Sequence, residues 1–334
     1  MRPFLNWPAL PLKSDLVRRL MVAGPMAVVA VAVGFAAQGL VPRPYAAAQG
    51  ELLDALIDSP SPVPDTTTAA EQLRRLEARR APAQGSAASV GLVEPEAGPG
   101  VNLDIRVALL SAGAAPDLTA PGPWQLLSRE GQLLQQGDAG SRVDLAKLWQ
   151  QGPEAWLQTH GGLLLVNGRP YGGRLRLIRD TGGLRLVNHL ALETYIAAVV
   201  GAEMPSSWSM EALRAQAVAA RSYALAHMAR PANRHWHLGD TTRWQAYKGL
   251  SSSTNRTSQA AASTAGLILS YQGAIVESLY AANRQISLEA HGHLGASMSQ
   301  HGAQDLAQQG YRYNQILGHY YQGASLARLK AGAG

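Results

Sequence analysis

The sequence predicts an α+β fold in which a β-rich entry part is followed by helices and a hairpin, together forming one domain with a groove. Three observations predict it. In "LDIRVALL", Leu103, Ile105, Val107 and Leu109 alternate with Asp104, Arg106 and Ala108, the period of a half-buried strand. In "LLLVNGRPYGGRLRLIRDTGGLRLVN", Asn167-Gly168 and Gly182-Gly183 are turn signals, and Leu175 and Leu177 alternate with Arg174 and Arg176. The period then changes: Leu192, Tyr195, Ile196, Val199 and Val200 fall at helical spacing, so strands cluster first and helices afterwards.

The elements follow in order. Arg2, Lys13, Arg18 and Arg19 precede an apolar run from Leu20 to Ala37, long for the core of a leader and near the minimum for a spanning helix. Positive charge before that run directs the rest of the chain out of the cytoplasm. Ala46 and Ala48 frame a cleavage site before Gln49, so residues 1–48 read as a signal peptide or a membrane anchor. Residues 49–100 turn rich in Pro, Ala, Gly and Thr and read as a flexible linker, with a short helix over "EQLRRLEARR". Residues 101–330 read as the folded domain, with the β-rich entry part at 101–188 and a helical core at 189–326.

Within that core the first helix ends near Gly201. A second starts at Ser209 as N-cap, carries Glu211 in its first turn where the helix dipole favours a carboxylate, and stops before Pro231. A third, rich in Ala, Ser and Thr, spans Thr254 to Ala265, with Gly266 just beyond its end. The hairpin "LILSYQGAIVESLYA" follows, then helical segments in "MSQHGAQDLAQQG" and "YNQILGHYY".

Composition narrows the function. At 334 residues and 46% hydrophobic the chain can bury a substantial core, and its formal charge of +6 suits an anionic partner. The basic residues form no dense run of the kind nucleic-acid binders show, so the charge points to a polyanionic surface and nucleic acid is not expected as the partner. There is no cysteine, which excludes disulfides and thiolate-ligated metal.

Glu203 carries the chemistry. It lies just past the first predicted helix in "VVGAEMPSSWSMEALRAQAVAARSYAL", and Met204, preceding Pro205, is biased out of the helical region, so the carboxylate sits at a bend. Among Val, Ala, Met and Trp208 it loses hydration, and its pKa is expected to rise toward the range of a general acid. Arg214 and Arg221, seven residues apart, lie on nearly one line of the second helix. A guanidinium beside Glu203 would lower its pKa, so Arg221 is assigned to positioning a substrate or stabilising developing negative charge. The competing bland reading makes Glu203 a solvated cap and the arginines covers for apolar surface.

"LALETYIAAVVGAEMPSSWSMEALRAQAVAARSYALAH" resembles the SpoIID/LytB family, whose sporulation members are lytic transglycosylases acting on peptidoglycan. The resemblance continues in "GDTTRWQAYKG", "AASTAGLILSYQGAIVESLYAAN" and "MSQHGAQDLAQQGYRYNQILGHYYQGA". It implies that Glu203, in the Glu-Met-Pro motif, is the acid/base and that Arg221, in "QAVAAR", also serves activity. It further implies a groove for glycan strands, with Arg214, Asp240, Gln245, Tyr247, Ser299 and Gln300 as substrate contacts. One carboxyl group suffices for such a lyase, because the sugar's own 6-hydroxyl attacks and no water needs activating. Glu193, Glu211, Asp240, Glu277 and Glu289 are the other acids to weigh.

Two departures from the family pattern stand out. Family members that hold zinc use Cys and His where this chain has Gly239, Arg243 and Trp244, leaving His235 and His237, so neither metal nor other cofactor is expected. Between "LYAAN" and "MSQHGA" the chain is short, and His291, His293 and His301 read as structural or exposed. The expected partners are peptidoglycan strands, a cell-wall amidase under the alternative of a non-catalytic enhancer, and a membrane through the N-terminal segment. The expected place is extracytoplasmic.

Overall fold

The computed structural model describes residues 57–58 and 91–330, apart from 149, 151, 181 and 282–296. The apolar run 20–37, the helix read over 71–80 and the residues Glu289, His291 and His293 lie outside the described residues. The chain is α+β, a large sheet followed by helices. Among the described residues, no helix is long and apolar enough to cross a membrane.

The entry part builds a seven-stranded sheet. Its strands are β2 (Asp104–Ala108), β4 (Trp124–Ser128), β5 (Leu133–Gly137), β6 (Glu154–Thr159), β9 (Arg174–Asp180), β10 (Gly183–Ala191) and β11 (Leu238–Gly239), in the order β11-β2-β10-β9-β6-β4-β5. All neighbours are antiparallel except β11 on β2. Alternation sorts the two faces: Ile105, Val107, Leu157, Leu175, Leu177, Leu186 and Leu190 are buried on the core side, while Arg106, Trp156, Arg174 and Arg176 stand on the other. A four-residue helix, α1 (Leu145–Leu148), lies between β5 and β6.

A smaller sheet joins β3 (Leu118–Thr119), β7 (Leu163–Val166) and β8 (Arg169–Gly172). The β7-β8 turn is Asn167-Gly168, both with positive φ (51° and 74°), as a tight two-residue hairpin requires.

The core helices start without a loop. Ala191 ends β10 and Leu192 begins α2 (Leu192–Glu203). Next comes α3 (Met210–Ala229), whose alanines at 212, 215, 217, 219, 220, 224 and 226 are all buried, so side chains small enough for close approach let its neighbours surround it. Ser209 is its N-cap by position, but its side chain makes no capping bond. In α4 (Asn255–Ser263), Thr254 and Thr257 form a reciprocal capping box. The last helices are α5 (Gln300–Gln308) and α6 (Tyr313–Tyr320).

The expected hairpin after α4 is only partly a hairpin. β12 (Leu267–Tyr271) pairs with β13 (Ala274–Ile275), but β14 (Leu279–Ala281) leaves to pair in parallel with β15 (Ser297–Ser299). β12 also pairs with β16 (Ser325–Leu329), which in turn takes β1 (Ile57–Asp58) at its other edge. The stretch read as a linker is therefore ordered in part. Besides β1, Leu92 exchanges backbone and side-chain bonds with Asn314 of α6, and Arg328 binds the Glu96 carbonyl at 2.9 Å.

Candidate active site around Glu203

Glu203 is the last residue of α2 rather than a residue past it. Met204 is extended (φ −129°, ψ 144°), as the residue before a proline prefers, and its N–H closes the final turn on Val200. The helix reaches this point only because residue 201 is glycine: a Cβ there would collide with the Ser252 carbonyl oxygen. The following loop is pinned from two sides. Arg256 of α4 donates to the carbonyls of Ser206 (2.8 Å) and Trp208 (2.7 Å), and Ser209 N–H donates to Gln304 of α5 at 2.8 Å.

The carboxyl group is held by one bond to each oxygen. Oε1 accepts the Ala246 N–H at 2.8 Å, and Oε2 accepts the Gln300 side-chain amide at 3.1 Å. Each carboxylate oxygen has two acceptor positions, so one on each remains. Glu203 keeps part of its surface open, yet protein crowds the carboxyl closely enough that burial raises its pKa above the ordinary range. The two hydrogen bonds and the Lys248 charge pull the other way and do not win. A group in this state can hold a proton at higher pH than a surface glutamate and release it without leaving its place.

Beneath it lies an uncharged hydrogen-bonded layer. Tyr195 donates to Gln245 (2.9 Å), whose amide donates to the Ala220 carbonyl (3.1 Å) and to the Tyr280 hydroxyl (2.8 Å). Burial drives both phenols well above their ordinary pKa, with the nearby Glu203 charge adding to it, so both stay neutral. Trp208 and His301 meet at a tilt, 5.0 Å between ring centres, joining the loop after Glu203 to α5.

The structure relocates several residues expected to meet substrate. Arg221 has no exposed surface. Its guanidinium is bidentate to Glu193 (2.8 and 2.7 Å) and donates to the carbonyls of Leu267 (3.0 Å) and Ala261 (3.2 Å), tying α3 to α2, α4 and β12. Its positioning role is corrected accordingly: with no surface to offer, it cannot touch a glycan. Tyr247 is likewise buried and donates to Asn188 at 2.7 Å, so it cannot stack on a sugar. Gln245 belongs to the layer just described.

Asp240 accepts the N–H groups of Leu110 and Ser111, capping a turn after β2. Arg214 pairs with Glu211 (3.1 Å) and lies 4.4 Å over the Tyr313 ring. Ser299 caps α5 by accepting the Gly302 N–H. Of the expected substrate contacts, Gln300 alone bonds to Glu203.

Of the other acids weighed, those among the described residues are engaged elsewhere. Glu193 holds Arg221, Glu211 accepts the Tyr313 N–H (2.7 Å), and Glu277 pairs with Arg230 (3.2 Å). His237 faces Arg106, which approaches both ring nitrogens, and a neutral imidazole accepts at one of them. Burial, aided by Arg106, holds its pKa at about 3. Sequence reasoning missed the Ala246 N–H, which no residue type announces, and the pinning pair Arg256 and Gln304.

Fold and site define a protein with one desolvated carboxyl group at a helix end, set on a neutral hydrogen-bonded layer. Residues 180–271 match the family model described as SpoIID, Stage II sporulation protein, consistent with the SpoIID/LytB family. It is 30% identical over 191 residues to an uncharacterized protein of Brachyspira hyodysenteriae, covering 53% of this chain and 51% of that relative. It is 38% identical over 88 residues to an amidase enhancer of Bacillus subtilis, 26% of this chain and 12% of the relative. Against the stage II sporulation protein D of the same organism it is 35% identical over 109 residues, 28% and 32% of the two chains. The chain thus spans about half the length of the first of these relatives and less of the other two.

Proposed function

We propose that the protein is a peptidoglycan lytic transglycosylase that works outside the cytoplasm, with Glu203 as its single general acid/base. The observation that carries this is the Glu203 carboxyl, oriented at both oxygens, raised in pKa and still open to solvent. Protonated, it donates to the oxygen leaving C1 of N-acetylmuramic acid. As carboxylate, it takes the proton of that sugar's 6-hydroxyl while the 6-oxygen bonds to C1. The glycosidic bond breaks, a 1,6-anhydro ring forms, and the proton returns to Glu203. No second carboxylate is required, which suits a site where the other acids weighed, among the described residues, are spent on structure.

A second reading is favoured by the relative named an amidase enhancer: a non-catalytic member that binds glycan and promotes a cell-wall amidase. Incubating the protein with purified glycan strands and reading anhydro-muramyl ends by mass spectrometry separates the two. Ends produced by the wild type and not by Glu203→Gln support the lyase. Binding without cleavage by either supports the enhancer.

A further inference from the structure

Tyr280 stands beside the Glu203 carboxyl, and two connections bring it there. Gln245 donates its amide to the Tyr280 hydroxyl at 2.8 Å, and the next residue, Ala246, donates its N–H to Glu203 Oε1. On the other side, β14 pairs Tyr280 with Met298 of β15, and Gln300, two residues further on, donates to Glu203 Oε2. The phenol and the carboxyl are therefore held by the same two segments, 245–246 and 298–300. Burial first and the Glu203 charge next raise the phenol's pKa, so it keeps its proton.

The layer under Tyr280 decides which way its O–H can act. The Ala220 carbonyl can only accept, so the nitrogen of the Gln245 amide faces it and the amide oxygen faces Tyr195. Gln245 gives one N–H to Ala220 and the other to Tyr280, and its oxygen takes the Tyr195 proton. Tyr280 thus accepts from the layer, and its own proton must find an acceptor elsewhere. Among the described residues its hydroxyl makes no further hydrogen bond, and the side chain keeps part of its surface open. Accepting from an amide that is itself fully bonded also makes the hydroxyl a stronger donor.

We propose that Tyr280 is a second residue that touches the glycan, its hydroxyl donating to the carbonyl oxygen of the 2-acetamido group on the sugar whose C1 reacts. The assignment rests on the proposed cleavage at Glu203 for which sugar is held. C2 is bonded to C1, so that acetamido group lies next to the atom at which Glu203 works. Hydrogen bonds to the 2-substituent strengthen as a glycosidic bond breaks, and the acceptor of an acetamido substituent is its carbonyl oxygen. Tyr280 then orients the sugar and makes the site selective for N-acetylated strands, while Glu203 handles the leaving oxygen and the 6-hydroxyl.

The test is calorimetric titration of the full chain carrying Glu203→Gln, which takes cleavage out of the measurement, with peptide-free glycan strands before and after chemical N-deacetylation. Adding Tyr280→Phe should weaken binding of the acetylated strands about three- to tenfold, the size of one neutral hydrogen bond. The same change should leave affinity for the deacetylated strands within about twofold, because the two partners of one bond are not lost additively. With Glu203 intact, Tyr280→Phe should lower kcat/KM for anhydro-end formation on acetylated strands by at least the same factor. Equal weakening on both kinds of strand marks a merely structural role and overturns the proposal, as does unchanged affinity or absent binding of the acetylated strands. A wild type that binds but forms no anhydro ends sinks the cleavage reading, and the titration still decides the contact made by Tyr280.

Discussion

Helix α2 carries two glutamates ten residues apart, and they have opposite fates. Glu193 lies in the first turn, where the helix dipole favours negative charge, and a bidentate arginine fixes it. Glu203 lies at the last residue, where the dipole opposes a carboxylate, and among the described residues two neutral donors hold it. The first is therefore a structural joint, and the second is the group to which the proposed function assigns the chemistry. Arginine within reach of a carboxylate does not mark an active site; among the described residues none bonds to Glu203, which leaves its proton available.

The widest separation between the two is expected in catalysis. Glu203→Gln should abolish anhydro-end formation, a loss of roughly 10²- to 10⁴-fold for removal of a general acid, in a protein that still folds. The same variant sharpens the comparison through stability. Because the native pKa of Glu203 is raised, the folded state binds its proton more tightly than the unfolded state, and stability falls as pH rises from the ordinary carboxylate range through the native value. Glu203→Gln should accordingly melt higher than wild type at neutral pH, and the gap should close below about pH 4. A lower melting temperature at pH 7 would contradict this account.

Breaking the other carboxylate's partnership should do the reverse. Arg221→Ala leaves Glu193 and two interior carbonyls without their donor and is expected to cost about 3–5 kcal/mol in denaturant unfolding, with cleavage per folded molecule largely kept. If Arg221→Ala instead folded normally and lost cleavage, the buried-tie assignment would fail. Gly201→Ala should cost about 1–3 kcal/mol through overpacking against Ser252, more than the helix gains from alanine. The smallest effect is expected at Gln300→Ala. Losing an amide that favours the carboxylate form should raise the Glu203 pKa further and move the alkaline limb of the pH–rate profile upward.

Much of this architecture can be read from local pattern. Period two places β2 within a residue of its observed ends, the Asn167-Gly168 turn has the backbone it announces, and the N-terminus of α3 falls at Ser209. Glu203 is legible because proline, helix end and apolar neighbours are all local. The partners are not. Arg221 is 28 residues from Glu193 and 46 from Leu267, so spacing on one helix face says nothing of what it meets. Tyr247 looks like a surface aromatic in "QAYKG" until the chain buries it against Asn188, 59 residues away. The arginine face is a similar case: alternation marks Arg174 and Arg176 as outward, and only sheet order sets Arg106 and His189 beside them.

The bond between Glu203 and Gln300 spans 97 residues, and that with Ala246 spans 43. The Glu203 carboxyl thus has its full set of partners only after α5, far along the chain, has docked. A nascent or truncated protein ending before α5 lacks one of the two groups that orient the acid. Synthesis order thereby delays the complete site until nearly the whole domain has emerged.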